Sequence, residues 1–478
     1  MRLSAAPFGR QRRAESSWAP PAPYPRNVPG RPWFGLYCGD DRWGDTWCGP
    51  EGSLLVLGPP RSGKTTSIVV PCVLDAPAAV VSTSTKPDVM AQSVFWRWMK
   101  GRVFLFDPSG ETEAPDGVAE LRWSPVEGCT TFERAVAAAH ALASAARPKA
   151  QLTEGAHWVE RAEALLAPLL FAASSRDCDM ATVCRWVLAR DLREPEAVLE
   201  ALGHEMARIV LAGVAASEER ERSGIFSTAS GLLGAYRSEA ALRSATRPNF
   251  SPEAFASSAD TLYICAPGQA QEQLAPVVVC LLEAVRHAVF ARPKVAAPVV
   301  FALDEVANIA PLPSLPSLAA EGGGQGLVTL GCLQDLSQAR ARWGEQAEGF
   351  FSLFNHKLVF PGIGDHRTLE LVSSLAGEVR VPVVTTTRGS TSAWKQSSRS
   401  TSWSRTFAWR PRLPFDAIAA APSGSALHVG GGRVSWSLVR PWWHGGWSQF
   451  AGRRTAPLWT ERLRSVNASF PPDAQVTP

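Results

Sequence analysis

The chain has 478 residues, 45% of them hydrophobic and 19% charged, which supplies enough apolar side chains for a core and excludes disorder throughout. The 48 basic residues exceed the 44 acidic ones by only four, which excludes a histone-like polycation but allows local basic patches. Because no run of 18 or more apolar residues occurs, we expect no transmembrane helix and a cytoplasmic protein.

The two ends of the chain have the composition of disordered segments. Residues 1–31 are rich in proline and contain six arginines against one acidic residue, Glu15. Residues 469–478 contain four polar residues and three prolines. We therefore predict a disordered basic arm at 1–31 and a flexible tail at 469–478.

Short apolar and β-branched runs between these ends predict the strands of a sheet. In chain order they cover residues 53–57, 78–82, 102–106, 261–265, 298–303, 327–333 and 357–360. Helical patterns separate most of them, as crossover helices do in a mostly parallel sheet. The sequence therefore predicts an α/β core.

One connection in this core is far longer than the others. Between residues 107 and 261 the sequence has no convincing strand, and much of it has helical spacing. A structureless loop of that length is improbable in a compact domain, so we predict an all-α domain at 128–250, inserted into a core formed by 32–127 and 251–468. Two successive domains are the weaker alternative, because the strand pattern resumes after the insertion.

A complete phosphate-binding motif, G-x-x-x-x-G-K-[ST], follows the first core strand and precedes an apolar helical run at 67–73. Glycines let successive backbone N–H groups point at phosphate oxygens, and the helix N-terminus adds positive potential. Lys64 can reach the β- and γ-phosphates, and the Thr65 hydroxyl can ligate Mg²⁺. We therefore predict that ATP and Mg²⁺ are bound in the first part of the core, by Gly58, Pro59, Pro60, Arg61, Ser62, Gly63, Lys64, Thr65 and Thr66.

An acidic pair, Asp304 and Glu305, follows the apolar run at 298–303. In a P-loop enzyme Asp304 would hold Mg²⁺, and Glu305 would act as the general base on the attacking water. Kinases often lack the second carboxylate, so Glu305 favours an ATPase over a small-molecule kinase. The predicted catalytic residues are Glu305, Lys64 and Gln334. Gln334 follows the strand at 327–333 and would sense the γ-phosphate; an ordinary surface glutamine is nearly as good an interpretation.

The segment 380–412 is rich in Ser, Thr and Trp and contains seven cations and no acidic residue. It predicts a mobile loop or a hairpin. Its cations and tryptophans could bind phosphates and stack on bases, but a solvated Ser-rich loop is the favoured alternative.

Together these motifs resemble the coupling ATPases of conjugative type IV secretion (TraG/TraD-like), particularly their actinobacterial branch. The resemblance spans roughly residues 33–445, and only the P-loop is specific by itself. The matching stretches are 58–65, 84–88, 106–108, 121–126, 155–158, 303–307 and 333–338.

The resemblance implies a RecA-like motor with an all-α domain, assembled as a homo-oligomeric ring such as a hexamer. Such a motor uses ATP to drive DNA, or a relaxase–DNA complex, toward a secretion channel. DNA, a relaxase and channel proteins are thus the implied partners. The alternative is a soluble P-loop adaptor that binds ATP and recruits secretion or DNA-processing partners without moving DNA.

The sequence departs from the family pattern in two respects. Relatives usually have N-terminal transmembrane helices, whereas this sequence predicts none. We therefore expect this chain to reach the inner face of the cell membrane through partners or anionic lipid. Relatives also often carry an arginine near the position of Gly323, which would act across a subunit boundary. The substitutes that this chain offers are Arg367, Arg380, Arg410 and Arg412.

Overall fold

The computed structural model describes residues 33–41, 44–146, 153–293, 297–393, 396–444 and 447. The predicted arm at 1–31 and tail at 469–478 lie outside the described residues. The strands are β1 Tyr37–Asp41, β2 Gly44–Trp47, β3 Leu54–Leu57, β4 Val80–Ser84, β5 Val103–Phe106, β6 Ala119–Glu120, β7 Thr261–Cys265, β8 Val299–Leu303, β9 Leu327–Leu333, β10 His356–Val359, β11 Glu378–Ala393, β12 Gln396–Pro411, β13 Ser425–Gly430 and β14 Arg433–Leu438.

The helices are α1 Val70–Asp75, α2 Asp88–Trp98, α3 Phe132–Ala146, α4 Thr153–Ser175, α5 Met180–Ala189, α6 Arg193–Leu202, α7 Glu205–Ala215, α8 Glu219–Leu232, α9 Glu239–Ser244, α10 Pro252–Ala256, α11 Gln271–Ala291, α12 Val306–Ile309, α13 Leu315–Glu321, α14 Leu336–Trp343, α15 Phe350–Leu353, α16 His366–Ala376 and α17 Phe415–Ala419.

A twelve-stranded sheet organises the described part of the chain, in the order β2-β1-β14-β13-β10-β3-β9-β8-β4-β7-β5-β6. The eight strands from β10 to β6 are parallel to their neighbours, and β13, β14, β1 and β2 add an antiparallel edge. Every residue of β3, β4, β8 and β9 is buried. Burial on both faces is why these strands have continuous apolar sequences instead of alternating ones.

All seven strands predicted from the sequence are present in the predicted order, with bounds that differ by at most two residues. Their connections are helical, as the crossover pattern predicts, and the sheet is mostly parallel. The prediction of an α/β class is therefore confirmed.

Helices α3 to α10 fill the long connection between β6 and β7. One detail of the prediction was wrong there, because Ala119–Glu120 forms a two-residue strand beside β5. Helix α6 ends at Gly203, which adopts the left-handed conformation, and α7 begins two residues later. An all-α insertion within an α/β core is the observed architecture.

Helix α11 packs against α3 and α10, and its side chains join the core beneath the insertion. Within the described ranges it is the one helix long and apolar enough to cross a membrane by length and composition. However, 72% of its apolar window is buried inside the protein. Burial of this kind is typical of the central helix of a globular core.

Strands β11 and β12 form a separate antiparallel ribbon outside the main sheet. Residues of the two strands pair without a register shift from Glu378↔Pro411 to Ala393↔Gln396. At about 3.4 Å per residue, sixteen paired residues extend for roughly 50 Å. Of the two structures predicted for 380–412, a mobile loop or a hairpin, the chain adopts the hairpin.

Candidate active site

The phosphate-binding motif connects β3 to the helical turn Thr65–Val69, which continues into α1. Two of its residues have left-handed backbones, Arg61 at φ 63° and Gly63 at φ 95°. A side chain at Gly58 would lie 2.7 Å from Cβ of Phe360, which follows β10. The motif therefore needs its first glycine for packing and its second for backbone conformation.

Lys64 is buried, and its ammonium group donates to the carbonyl oxygens of Gly58 and, at 3.0 Å, Pro59. These contacts fold the lysine back over the loop that it belongs to. They hold the positive charge of the ammonium group beside the backbone of Gly58 and Pro59. A phosphate placed in the loop would exchange these neutral acceptors for anionic ones, which make stronger charge-assisted bonds.

The central relationship of the site joins the P-loop to the acidic strand end. The Thr65 hydroxyl donates a 2.6 Å hydrogen bond to Oδ2 of Asp304, the residue that follows β8. The Asp304 carbonyl oxygen accepts a 2.8 Å bond from the hydroxyl of Thr83 on β4. Because β4, β8, β9 and β3 are adjacent and parallel, their carboxyl ends bring these groups to one edge of the sheet.

Burial dominates the electrostatics of the acidic pair. Removal of Asp304 from water raises the pKa of its carboxyl group, while Thr65, Lys64 and the Glu305 backbone oppose that rise. The pKa of Glu305 is also raised, first by burial and then by the neighbouring Asp304 charge. A raised pKa makes Glu305 a better proton acceptor, which suits a general base.

Glu305 is held in an unusual backbone conformation, with φ at 51° and ψ at 43°. A non-glycine residue rarely occupies this left-handed region, and functional sites are where such strain concentrates. Its side chain is only partly buried, and Oε2 accepts a 3.3 Å bond from the Asn308 amide. The carboxylate is therefore anchored at one oxygen on a surface that solvent reaches.

Gln334 lies at the same edge, directly after β9 and beside the P-loop strand. The backbone N–H of Gly58 donates to the carbonyl oxygen of Leu333, the preceding residue. Gln334 itself is half-buried, and its backbone N–H donates to Oε1 of Gln338. Its topological place agrees with the predicted sensor, while the sensing role stays a prediction.

Sequence reasoning gave no role to Asp88, although it belongs to the motif at 84–88. The Ser84 hydroxyl at the end of β4 donates a 3.1 Å bond to Oδ1 of Asp88. Burial raises the pKa of Asp88, and the charge of Asp304 contributes to the rise. Asp88 is thus a third carboxylate near the site, after Asp304 and Glu305, and its position four residues after a strand-end serine was the available signal.

The loop at Gly323 has no room for a side chain. A Cβ on Gly323 would lie 1.8 Å from the carbonyl oxygen of Glu51. Glycine is therefore required by close backbone approach at the position where relatives often carry an arginine. Of the alternative arginines, Arg367, Arg380, Arg410 and Arg412 are all exposed.

Another cluster escaped sequence reasoning because its members come from distant strands. Cys38, His356 and His428 place their ligand atoms within 4.8 Å of one another. Nδ1 of His356 and Nε2 of His428 share a 2.8 Å hydrogen bond, and the rings are stacked. The residues that flank each of the three in the sequence form no motif that predicts this arrangement.

The donor set of the site suits a hard cation. The Thr65 hydroxyl and the Asp304 carboxylate supply oxygen ligands, and Mg²⁺ is usually held by one or two carboxylates together with substrate phosphates. Lys64 provides a neighbouring positive charge for phosphate. Geometry and charge thus fit a magnesium nucleotide.

The chain matches a known protein family over most of its length. Residues 30–411 match the family described as type IV secretory system conjugative DNA transfer. No curated protein matches the chain.

Solved structures of the plasmid coupling protein TrwB share the fold. The unbound monoclinic form of the bacterial conjugative coupling protein TrwBdeltaN70 is 16% identical, with a TM-score of 0.60, and the match covers 82% of this chain and 85% of that one. The complex of TrwB with ADP and Mg²⁺ is 15% identical, with a TM-score of 0.60 and the same coverage. At this identity the likeness establishes the RecA-like fold with its all-α domain.

Proposed function

The chain belongs to the type IV secretory system conjugative DNA transfer family, and from this premise we propose that it is the ATP-hydrolysing motor of that transfer. The motor would couple ATP hydrolysis to delivery of DNA, or of a relaxase–DNA complex, to the secretion channel. The hydrogen bond between Thr65 and Asp304 carries the proposal, because it brings a P-loop hydroxyl and a strand-end carboxylate together beside Glu305. The family's function favours this reading over an adaptor that only binds nucleotide.

The roles of the residues follow from their charges and positions. Lys64 would neutralise charge on the β- and γ-phosphates, while Thr65 and Asp304 would hold Mg²⁺. Bound Mg²⁺ supplies positive charge to the transferring phosphoryl group. Glu305 would orient the attacking water and accept its proton, and Gln334 would report whether the γ-phosphate is present. The binding of ADP and Mg²⁺ by TrwB supports these assignments.

A homo-oligomeric ring, such as a hexamer, is part of the proposal. The crowded loop at Gly323 leaves the four exposed arginines at 367, 380, 410 and 412 as the candidates for contact with a neighbouring copy's nucleotide. A cytoplasmic location at the inner face of the membrane, reached through partners, and membership of the actinobacterial branch remain predictions from the sequence.

The test is ATP turnover by the purified full chain, with and without DNA, over a range of salt concentrations. A motor hydrolyses ATP faster when DNA is added, and the stimulation falls as salt rises, because phosphate contacts release counterions. Lys64→Ala should abolish turnover in both conditions. ATP hydrolysis that never responds to DNA would support the adaptor instead.

A further inference from the structure

The ribbon formed by β11 and β12 carries an aromatic face, made of four directly opposed pairs. The pairs are Arg380↔Trp409, Pro382↔Phe407, Val384↔Arg405 and Thr386↔Trp403. Opposed residues in an antiparallel pair project from the same side, so the two tryptophans, the phenylalanine and the two arginines share this face. The opposite face at the same level carries Val381↔Ala408, Val383↔Thr406, Thr385↔Ser404 and Thr387↔Ser402.

The rings of the aromatic face lie in solvent. Trp403 is 73% exposed, Trp409 66% and Phe407 52%. Large exposed apolar side chains grouped on one face of an element mark an interaction surface, because their exposure to water is unfavourable until a partner covers them. This face is therefore arranged to receive a ligand.

Cations are interleaved with these rings. The Arg380 guanidinium lies 4.4 Å from the centroid of the Phe407 ring, and that of Arg405 lies 5.9 Å from it. The arginines are thereby positioned beside the rings while both remain exposed. From residue 379 to residue 412 the sequence contains seven cations and no acidic residue. The charge of the ribbon is complementary to a polyanion.

We propose that the aromatic face of the ribbon binds single-stranded DNA, with bases stacked on Trp403 and Trp409 and phosphates paired with Arg380 and Arg405. The proposal rests on the proposed DNA-transfer function and assigns it a contact surface. Flat exposed rings can stack only on bases that are not already paired and stacked in a duplex. Phe407 and Trp409 are alternate residues of β12 and stand about 7 Å apart, which leaves space for a base between them, while Trp403 lies about 20 Å from Trp409 and offers a separate stacking position.

Two other occupants fit less well. A membrane-inserting hairpin needs an apolar tip, whereas residues 385–402 are dominated by serine and threonine. A second copy of the chain would have to cover the rings beside four like-charged arginines, Arg380, Arg405, Arg410 and Arg412, while each ribbon supplies one acidic residue, Glu378. Both occupants are outcomes of the test below.

The experiment measures binding of a fluorescein-labelled thirty-nucleotide oligo-dT to the full chain by anisotropy, without nucleotide. The double variant Trp403→Ala and Trp409→Ala should weaken binding at least ten-fold, because each stacked base contributes roughly 5- to 100-fold in affinity. The matched control is Ser402→Ala and Ser404→Ala, on the opposite face of the same strand, which should bind like the wild type. Both variants should keep wild-type ATP turnover in the absence of DNA, since neither touches the nucleotide site.

A second variant keeps the proposal testable if the double variant does not fold. Arg405→Gln should lower the slope of log affinity against log salt by about 0.7, as loss of one phosphate contact to a single strand does. A packing defect would not change that slope in this way. A labelled duplex of the same length should be less affected by loss of the tryptophans than the single strand is.

Unchanged oligo-dT affinity in the tryptophan variant overturns the proposal, as does a wild-type chain that binds no single strand. If the tryptophan variant keeps oligo-dT binding but loses self-association, the ribbon binds a second copy of the chain. If it keeps oligo-dT binding but no longer binds vesicles of phosphatidylcholine and phosphatidylglycerol, the ribbon binds lipid. Either result also overturns the proposal. Because the binding measurement uses no ATP, these results are separate from failure of the ATPase itself.

Discussion

The Thr65 hydroxyl and the Asp304 carboxylate meet at 2.6 Å although 239 residues separate them in the chain. The contact spans the whole helical insertion and joins the start of the P-loop helix to the end of β8. A buried carboxylate needs partners to remain charged, and here a hydroxyl, a backbone N–H and the nearby lysine supply them. The oxygens of Thr65 and Asp304 that form this contact are those that a magnesium ion would use.

Asp304→Asn should therefore reduce Mg²⁺-dependent ATP turnover at least 100-fold. The amide keeps the size of the side chain and can still bond to Thr65, but it lacks the charge that a divalent cation requires. Turnover measured across a range of Mg²⁺ concentrations, together with nucleotide binding, checks this. Asp335→Asn is the control, because Asp335 caps α14 and takes no part in the proposed site. Recovery of normal turnover at high Mg²⁺ would indicate weakened affinity only, and undiminished turnover would contradict the assignment.

Glu305→Gln should lower ATP turnover by about 10²- to 10⁴-fold, the usual contribution of a general base. Nucleotide binding should persist, because the Glu305 side chain accepts its hydrogen bond from Asn308, which lies outside the P-loop motif. Wild-type turnover should fall as the pH drops through the raised pKa of this carboxyl, so the acidic limb should lie above the ordinary value of 4.5. The exposed Glu321→Gln serves as the control, and a variant that turns over ATP normally would remove Glu305 from the mechanism.

The sequence was sufficient for the parts of this protein that depend on local pattern. Strands such as Leu327–Leu333 were recognised because burial on both faces requires an uninterrupted apolar run. The P-loop was recognised because its glycines and lysine are contiguous. Contacts between distant segments could not be predicted from local sequence pattern. The approach of Gly323 to Glu51 and the pairing of His356 with His428 depend on which strands are neighbours in the sheet. The aromatic face likewise required the ribbon register, which fixes which residues share a side.

Gly323→Ala should destabilise the protein by about 1–3 kcal/mol, as overpacking against a fixed neighbour does. The added Cβ would lie 1.8 Å from the Glu51 carbonyl oxygen, so the loop must shift. Gly324→Ala is a matched control, because nothing lies within 4 Å of the Cβ position there. The melting temperature of Gly323→Ala should be lower than that of Gly324→Ala, which should lie close to the wild-type value. Equal stability of both variants would show that the loop yields without cost.

Arg97→Met should cost roughly 3 kcal/mol or more of stability, since it leaves several buried oxygens without a donor. The Arg97 side chain is fully buried and donates to the Thr261 hydroxyl at 2.7 Å and to the carbonyls of Ala76, Ala78 and Ala259. These bonds connect the segments that precede β4 and β7. Denaturant unfolding checks the prediction.

The comparison for Arg97 is Arg243→Met, where the side chain is 71% exposed and forms a surface ion pair with Glu239. Exposed pairs of this kind contribute about 0–1 kcal/mol. A loss for Arg97→Met no larger than that for Arg243→Met would mean that water replaces the missing guanidinium.

The histidine pair should make stability depend on pH. Burial, and then the charge of Lys357, lower the pKa of His356 below its ordinary value of 6.5. The unfolded chain therefore binds a proton at a pH where the folded chain does not, so stability rises with pH across this window and is lost as the pH falls below about 6.5. The wild-type melting temperature should drop between pH 7.5 and pH 5.5, and the drop should be smaller in His356→Asn, which cannot titrate. Other groups contribute to both proteins and cancel in the comparison. An equal drop in the two proteins would show that His356 keeps its unfolded pKa in the native state.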